Sequence, residues 1–150
     1  MLARIDELEA VVRARHDGLD EALVRSIVAE IGRQFGTHMA AEDDVLFPAM
    51  AGAFPEACGT LEPLSSDHGE LRALLAELSS TLASPPGRVR NERLGVVTRD
   101  FVDLLRLHIR REELVVFQVA CRVLTERDVE ELARRLREQR EGGGAAPPSR

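Results

Sequence analysis

The chain contains no Trp, no Tyr and no Lys. Without Tyr it lacks a phenol for radical relay, and without Trp a broad ring for base stacking. Its positive charge is carried entirely by Arg, and the net charge is still -6. That balance argues against nucleic-acid binding, which needs clustered positive charge to displace counterions from phosphate. Cysteine is scarce. Cys58 and Cys121 are too few for a disulfide framework, and their separation is not that of a zinc knuckle. They read as two reduced thiols in a cytosolic chain. No apolar run approaches the length of a membrane span, and the N-terminus lacks the basic-then-apolar layout of a secretory leader.

What remains is abundant aliphatic residue. Of 150 residues, 44% are apolar, enough for one globular domain with a real core. Punctuation divides the chain into helices. The first is predicted from about Leu2 to Arg15, stopping at His16-Asp17-Gly18. The second is predicted from Asp20 to about Met50, with Pro48 in its last turn. The third starts near Glu62-Pro63, where proline suits a helix start, and ends before Ser84-Pro85-Pro86-Gly87. The fourth runs from about Val89 to Val123. A short fifth helix is predicted from Thr125 to about Arg140, with Val129, Leu132 and Leu136 covering the others. Residues 141–150, rich in Gly and Pro, are predicted to be a flexible tail.

Apolar residues recur at steps of three and four. The second helix carries Val24, Ile27, Ile31, Phe35 and Val45; the third Leu64, Leu71, Leu75, Leu78 and Leu82; the fourth Val97, Phe101, Leu104 and Val115. Such stripes make the seam of an antiparallel bundle, and short connections favour up-down-up-down order. The expected fold is all-α, an up-down-up-down four-helix bundle over residues 1–140 with the short fifth helix included.

Five polar residues interrupt those stripes: His38 and Glu42, His68, and His108 and Glu112. A buried polar group without a partner costs roughly 2–7 kcal/mol, and a charge costs more. Gathered around a metal, the same groups become ligands. His and Glu four residues apart share one helix face, and imidazole with carboxylate suits non-haem iron, and also manganese or zinc. The H-x-x-x-E spacing alone is weak, because 26 of 150 residues are acidic. A single pair is more simply a buried His–Glu hydrogen bond. Two pairs plus His68, all on seams, favour metal.

An internal repeat supports this reading. A shift of 70 residues lays His38 on His108, Glu42 on Glu112, Val45 on Val115, Phe47 on Phe117, and Ile5, Leu8 and Val12 on Leu75, Leu78 and Leu82, without a gap. The pattern is of two helical hairpins related by a pseudo-two-fold axis. Asp43 and Glu113 also match, one residue off the seam, as solvated carboxylates beside the ligands.

The segments His38-Met39-Ala40-Ala41-Glu42-Asp43-Asp44-Val45-Leu46-Phe47-Pro48, Asp67-His68-Gly69-Glu70-Leu71-Arg72 and His108-Ile109-Arg110-Arg111-Glu112-Glu113-Leu114-Val115-Val116-Phe117 resemble the hemerythrin-like, or HHE cation-binding, family. The resemblance implies a carboxylate-bridged di-iron centre that takes O2, NO or peroxide, for carriage, storage or sensing. His38, His68 and His108 would be terminal ligands, and Glu42 and Glu112 would bridge. A protein partner is not specified by it. The alternatives are a di-iron oxidoreductase that consumes peroxide, and a degenerate, metal-free interaction domain.

The family's helix-one histidine has no counterpart here. The repeat places it three positions before Met1, and His16, at the end of the first helix, reads as a surface or capping residue. The upstream reading frame is therefore expected to encode a few more helical residues with a His. Otherwise five protein ligands hold the pair, with one metal held more weakly or a water filling the gap.

Overall fold

In the computed structural model, residues 2–13, 20–53, 55, 58–123, 127, 130 and 134 are described. Among them there is no strand, and the protein is all-α. Helix α1 spans Leu2–Arg13, α2 Glu21–Ala41, α3 Phe47–Ala53, α4 Cys58–Ala83 and α5 Arg88–Val123, and a π-helical turn, Glu42–Leu46, joins α2 to α3. No helix is long and apolar enough to cross a membrane among the described residues.

The ends follow from local chemistry. Asp20 Oδ1 accepts the Leu23 N–H at 3.0 Å, which satisfies one of the orphan donors of α2's first turn. Helix α4 stops before Pro85-Pro86, as the sequence predicts. Its start is a correction: α4 begins at Cys58, with Pro63 inside it rather than at its start. Pro63 brings no N–H, so the helix forgoes one hydrogen bond there. Leu61 and Leu64, on either side of it, are both buried, and that burial offsets the loss. The predicted fifth helix and tail fall outside the described residues, except that Arg127, Glu130 and Arg134 are helical and exposed.

The chain divides into two compact units. The first comprises residues 1–36 and 66–110. Its core takes Ile5, Leu8 and Val12 from α1, Val24, Ile27, Ile31 and Phe35 from α2, Leu71, Leu78 and Leu82 from α4, and Leu94, Val97, Phe101 and Leu105 from α5. Arginines tie these segments together. Arg106 donates to Asp6 and Glu9 of α1 at 2.8 and 3.0 Å. Arg25 of α2 donates to the Leu82 carbonyl at the end of α4. Arg90, almost wholly buried, donates to the Thr81 carbonyl at 3.2 Å and to Glu21 at 2.6 Å. A guanidinium, with several donors, can serve a carbonyl and a carboxylate together, and Arg90 holds the carboxyl of Glu21 below its usual range by that hydrogen bond.

The second unit comprises residues 37–65 and 111–150. Its core is Phe47, Met50, Leu61 and Leu64, with Leu46, Ala51 and Val115 packed against it. Here the predicted stripe needs correcting. Val45 is only half-buried, while Phe47 and Met50 are buried. The π turn is the reason. The Phe47 N–H donates to the carbonyl of Glu42, five residues back, so the turn holds one residue more than an α turn. In an unbroken α-helix of 3.6 residues per turn, residues five apart point about 140° away from each other. With the extra residue absorbed, Glu42 and Phe47 are both buried.

Candidate metal centre

In the second unit, His38 stands near the end of α2, Glu42 opens the π turn and Glu112 lies on α5. His38 Nε2 is 3.4 Å from Glu42 Oε1 and 3.6 Å from Glu112 Oε2. One ligand atom of each lies within 4.8 Å of the others. Their burial is graded, with side-chain exposures of 5% for Glu42, 23% for Glu112 and 40% for His38. His38 thus sits on the rim rather than on the buried seam, and its neighbour Met39 takes the buried position. The contact with Glu112 raises the pKa of His38 above the ordinary imidazole value; partial burial opposes this, and the charges of Glu42 and Glu112 reinforce it.

In the first unit, His68 of α4 and His108 of α5 are fully buried. Their Nε2 atoms face each other at 3.2 Å, with ring centroids 4.7 Å apart. Phe35 meets the His108 ring edge-on at 6.1 Å between centroids. On the other flank of His108, Nδ1 lies 3.6 Å from Oδ2 of Asp67, itself buried.

The structure therefore brings together His38, Glu42 and Glu112 in one unit, and His68 with His108 in the other. His16 lies outside the described residues. Glu113 is exposed, as its place off the seam predicts, whereas Asp43 is half-buried. Asp67 is the residue that reading the stripes missed. Its signal was present as an acid directly before a seam histidine, but only the fold shows which ring it reaches.

The donors fit a first-row metal. With metal–nitrogen bonds of about 2.1 Å, two imidazole nitrogens in adjacent coordination positions stand about 3 Å apart, close to the separation of the His68 and His108 Nε2 atoms. The triad of His38, Glu42 and Glu112 offers one imidazole and two carboxylates, a set suited to iron or manganese.

The family model of the Hemerythrin HHE cation binding domain matches residues 1–120. No curated protein and no solved structure matches the chain.

Proposed function

Because the chain belongs to the hemerythrin HHE cation-binding family, we propose that it holds a non-haem iron pair and uses it to bind O2, NO or peroxide. The ligands are His38, Glu42, His68, His108 and Glu112, set in the up-down-up-down four-helix bundle that family membership implies. The role is carriage, storage or sensing of a small diatomic gas or oxidant in the cytosol.

The observation that carries this reading is the pair of buried imidazoles with their Nε2 atoms turned to each other at 3.2 Å. At most one proton fits between two such nitrogens, and a metal-free core would gain by replacing both rings with apolar side chains. The same holds for Glu42, a buried carboxylate in contact with His38.

When bound, the iron supplies a redox-active Lewis acid with a coordination position open to a small ligand. The chain's own residues do the rest. His38, His68 and His108 offer neutral nitrogens, and Glu42 and Glu112 offer the negative charge that offsets the cations. Phe35, fully buried against His108, keeps water from that ring.

Purification of the full chain under reducing conditions, reconstitution with Fe(II) and metal analysis test this. A pair of irons per chain is expected, with an optical spectrum that changes on exposure to O2 or NO. A chain that binds no iron, or that binds it as well after His68→Ala and Glu42→Ala, overturns the reading.

A further inference from the structure

The two ring nitrogens of His108 have different neighbours. Nε2 faces His68 Nε2 at 3.2 Å, and Nδ1 faces Asp67 Oδ2 at 3.6 Å. Asp67 and His68 are consecutive on α4, and consecutive helical residues point about 100° apart. One can therefore meet the tip of the His108 ring while the other meets its flank. Asp67, His68 and His108 are all buried, and Phe35 packs edge-on against the His108 ring. Turning that ring over about Cβ–Cγ would set carbons, Cδ2 and Cε1, where Nδ1 and Nε2 now face Asp67 and His68.

We propose that Asp67 is a positioning residue that polarises the imidazole pair, holding a proton on His108 Nδ1 so that His108 Nε2 always presents its lone pair. The proposal rests on the reading of His68 and His108 as metal ligands. A neutral imidazole carries one proton on one of two nitrogens, and the partner of the other nitrogen selects which. At 3.6 Å the carboxylate acts through its charge; an approach of about 0.5 Å would complete a hydrogen bond. With its proton on Nδ1, His108 can only accept at Nε2. The 3.2 Å contact needs a donor, so in the metal-free chain that donor is the Nε2–H of His68.

The two histidines are then not equivalent toward a metal. His108 is set for ligation before any metal arrives. His68 must give up its Nε2 proton, either to its own Nδ1 or to solvent. A carboxylate behind a ligating histidine also raises the basicity of the ligand, and loss of such a partner typically lowers metal affinity about 10–100-fold. A buried carboxylate is costly to keep, and Asp67 is buried directly beside His68 on α4.

The test uses the metal-free full chain with 15N-labelled histidine, read by long-range 1H–15N correlation at pH 8, above the ordinary imidazole pKa of about 6.5. His108 is expected as the Nδ1–H tautomer and His68 as the Nε2–H tautomer. In Asp67→Leu the His108 preference should be lost, and anaerobic Fe(II) affinity should fall about 10–100-fold. Asp67→Asn, which keeps the shape without the charge, should show a smaller fall. A wild-type His108 protonated on Nε2 overturns the proposal. So does Asp67→Leu with unchanged tautomers and affinity. If the Leu variant does not fold, wild-type Fe(II) affinity in Asp67→Asn overturns it. The tautomers are read without metal, so failure of the chain to bind iron would sink the proposed function while leaving this result readable.

Discussion

At the scale of single residues, burial divides the donors. Glu42, His68 and His108 are buried, whereas His38 is 40% exposed at the side chain and faces two carboxylates. That placement has a pH signature. Contact with Glu112 raises the pKa of His38 in the folded chain, so protonation favours the folded state. The resulting stability is fully present below the unfolded imidazole value of about 6.5. It is lost as pH rises through the raised folded value. Unfolding of the metal-free chain, compared with His38→Gln across pH 5 to 9, should show an advantage for the wild type at the acid end that shrinks toward the alkaline end. A difference that is flat, or that grows with pH, would contradict the sign. Glu42, His68 and His108 were legible as seam residues, while His38, read onto the same seam, stands at its rim. Their order of burial was not legible, because the width of a helix stripe says nothing about which of its edges a neighbouring helix covers.

At the scale of elements, the π turn at Glu42–Leu46 decides which residues of the second helical run face inward. Its cause is Pro48, two residues further on. A proline ring inside a helix clashes with the carbonyl four residues before it and brings no N–H; for Pro48 that carbonyl belongs to Asp44. Widening the turn there relieves the clash and lets the helix continue to Ala53. Proline is legible in a sequence, but whether a helix stops or widens at it depends on what lies beyond. Here Phe47 and Met50, buried against Leu61 and Leu64, hold the continuation in place. A π turn is in effect one inserted residue, so its removal keeps Glu42 and Phe47 on one face but restores the proline clash, at about 3 kcal/mol. Deleting Asp44 should lower the thermal midpoint by about 6–12 °C and leave unfolding cooperative. Deleting Arg33, inside the uninterrupted α2, should turn everything after it by about 100° and abolish cooperative unfolding. If both deletions are equally destructive, the turn is not the inserted residue described here.

At the scale of the whole molecule, metal and fold should be coupled. Loss of metal leaves buried imidazoles and carboxylates that a cation would otherwise satisfy, and a ligand that binds only the folded state stabilises it by mass action. At a free iron concentration 100-fold above Kd this amounts to about 2.7 kcal/mol. For a chain of this length that corresponds to about 5–10 °C in thermal midpoint. Unfolding of iron-loaded chain, with and without a chelator, measures it. A midpoint indifferent to the chelator in protein shown to contain iron would mean that the centre is not coupled to folding.

The all-α class, most of the helix limits and membership of a cation-binding family follow from the sequence by itself. Each rests on local chemistry: the three-and-four spacing of apolar residues, the breakers at Pro85-Pro86, and His–Glu pairs one turn apart. Local spacing places side chains on faces of their own helix and goes no further. Only the tertiary structure decided that Pro63 sits within α4, that Phe47 and Met50 rather than Val45 enter the core, and that His38 stays at the rim. It alone set Asp67 of α4 against the Nδ1 of His108, 41 residues away on α5. Those outcomes depend on which helix faces which, and that is settled by burial against residues far along the chain.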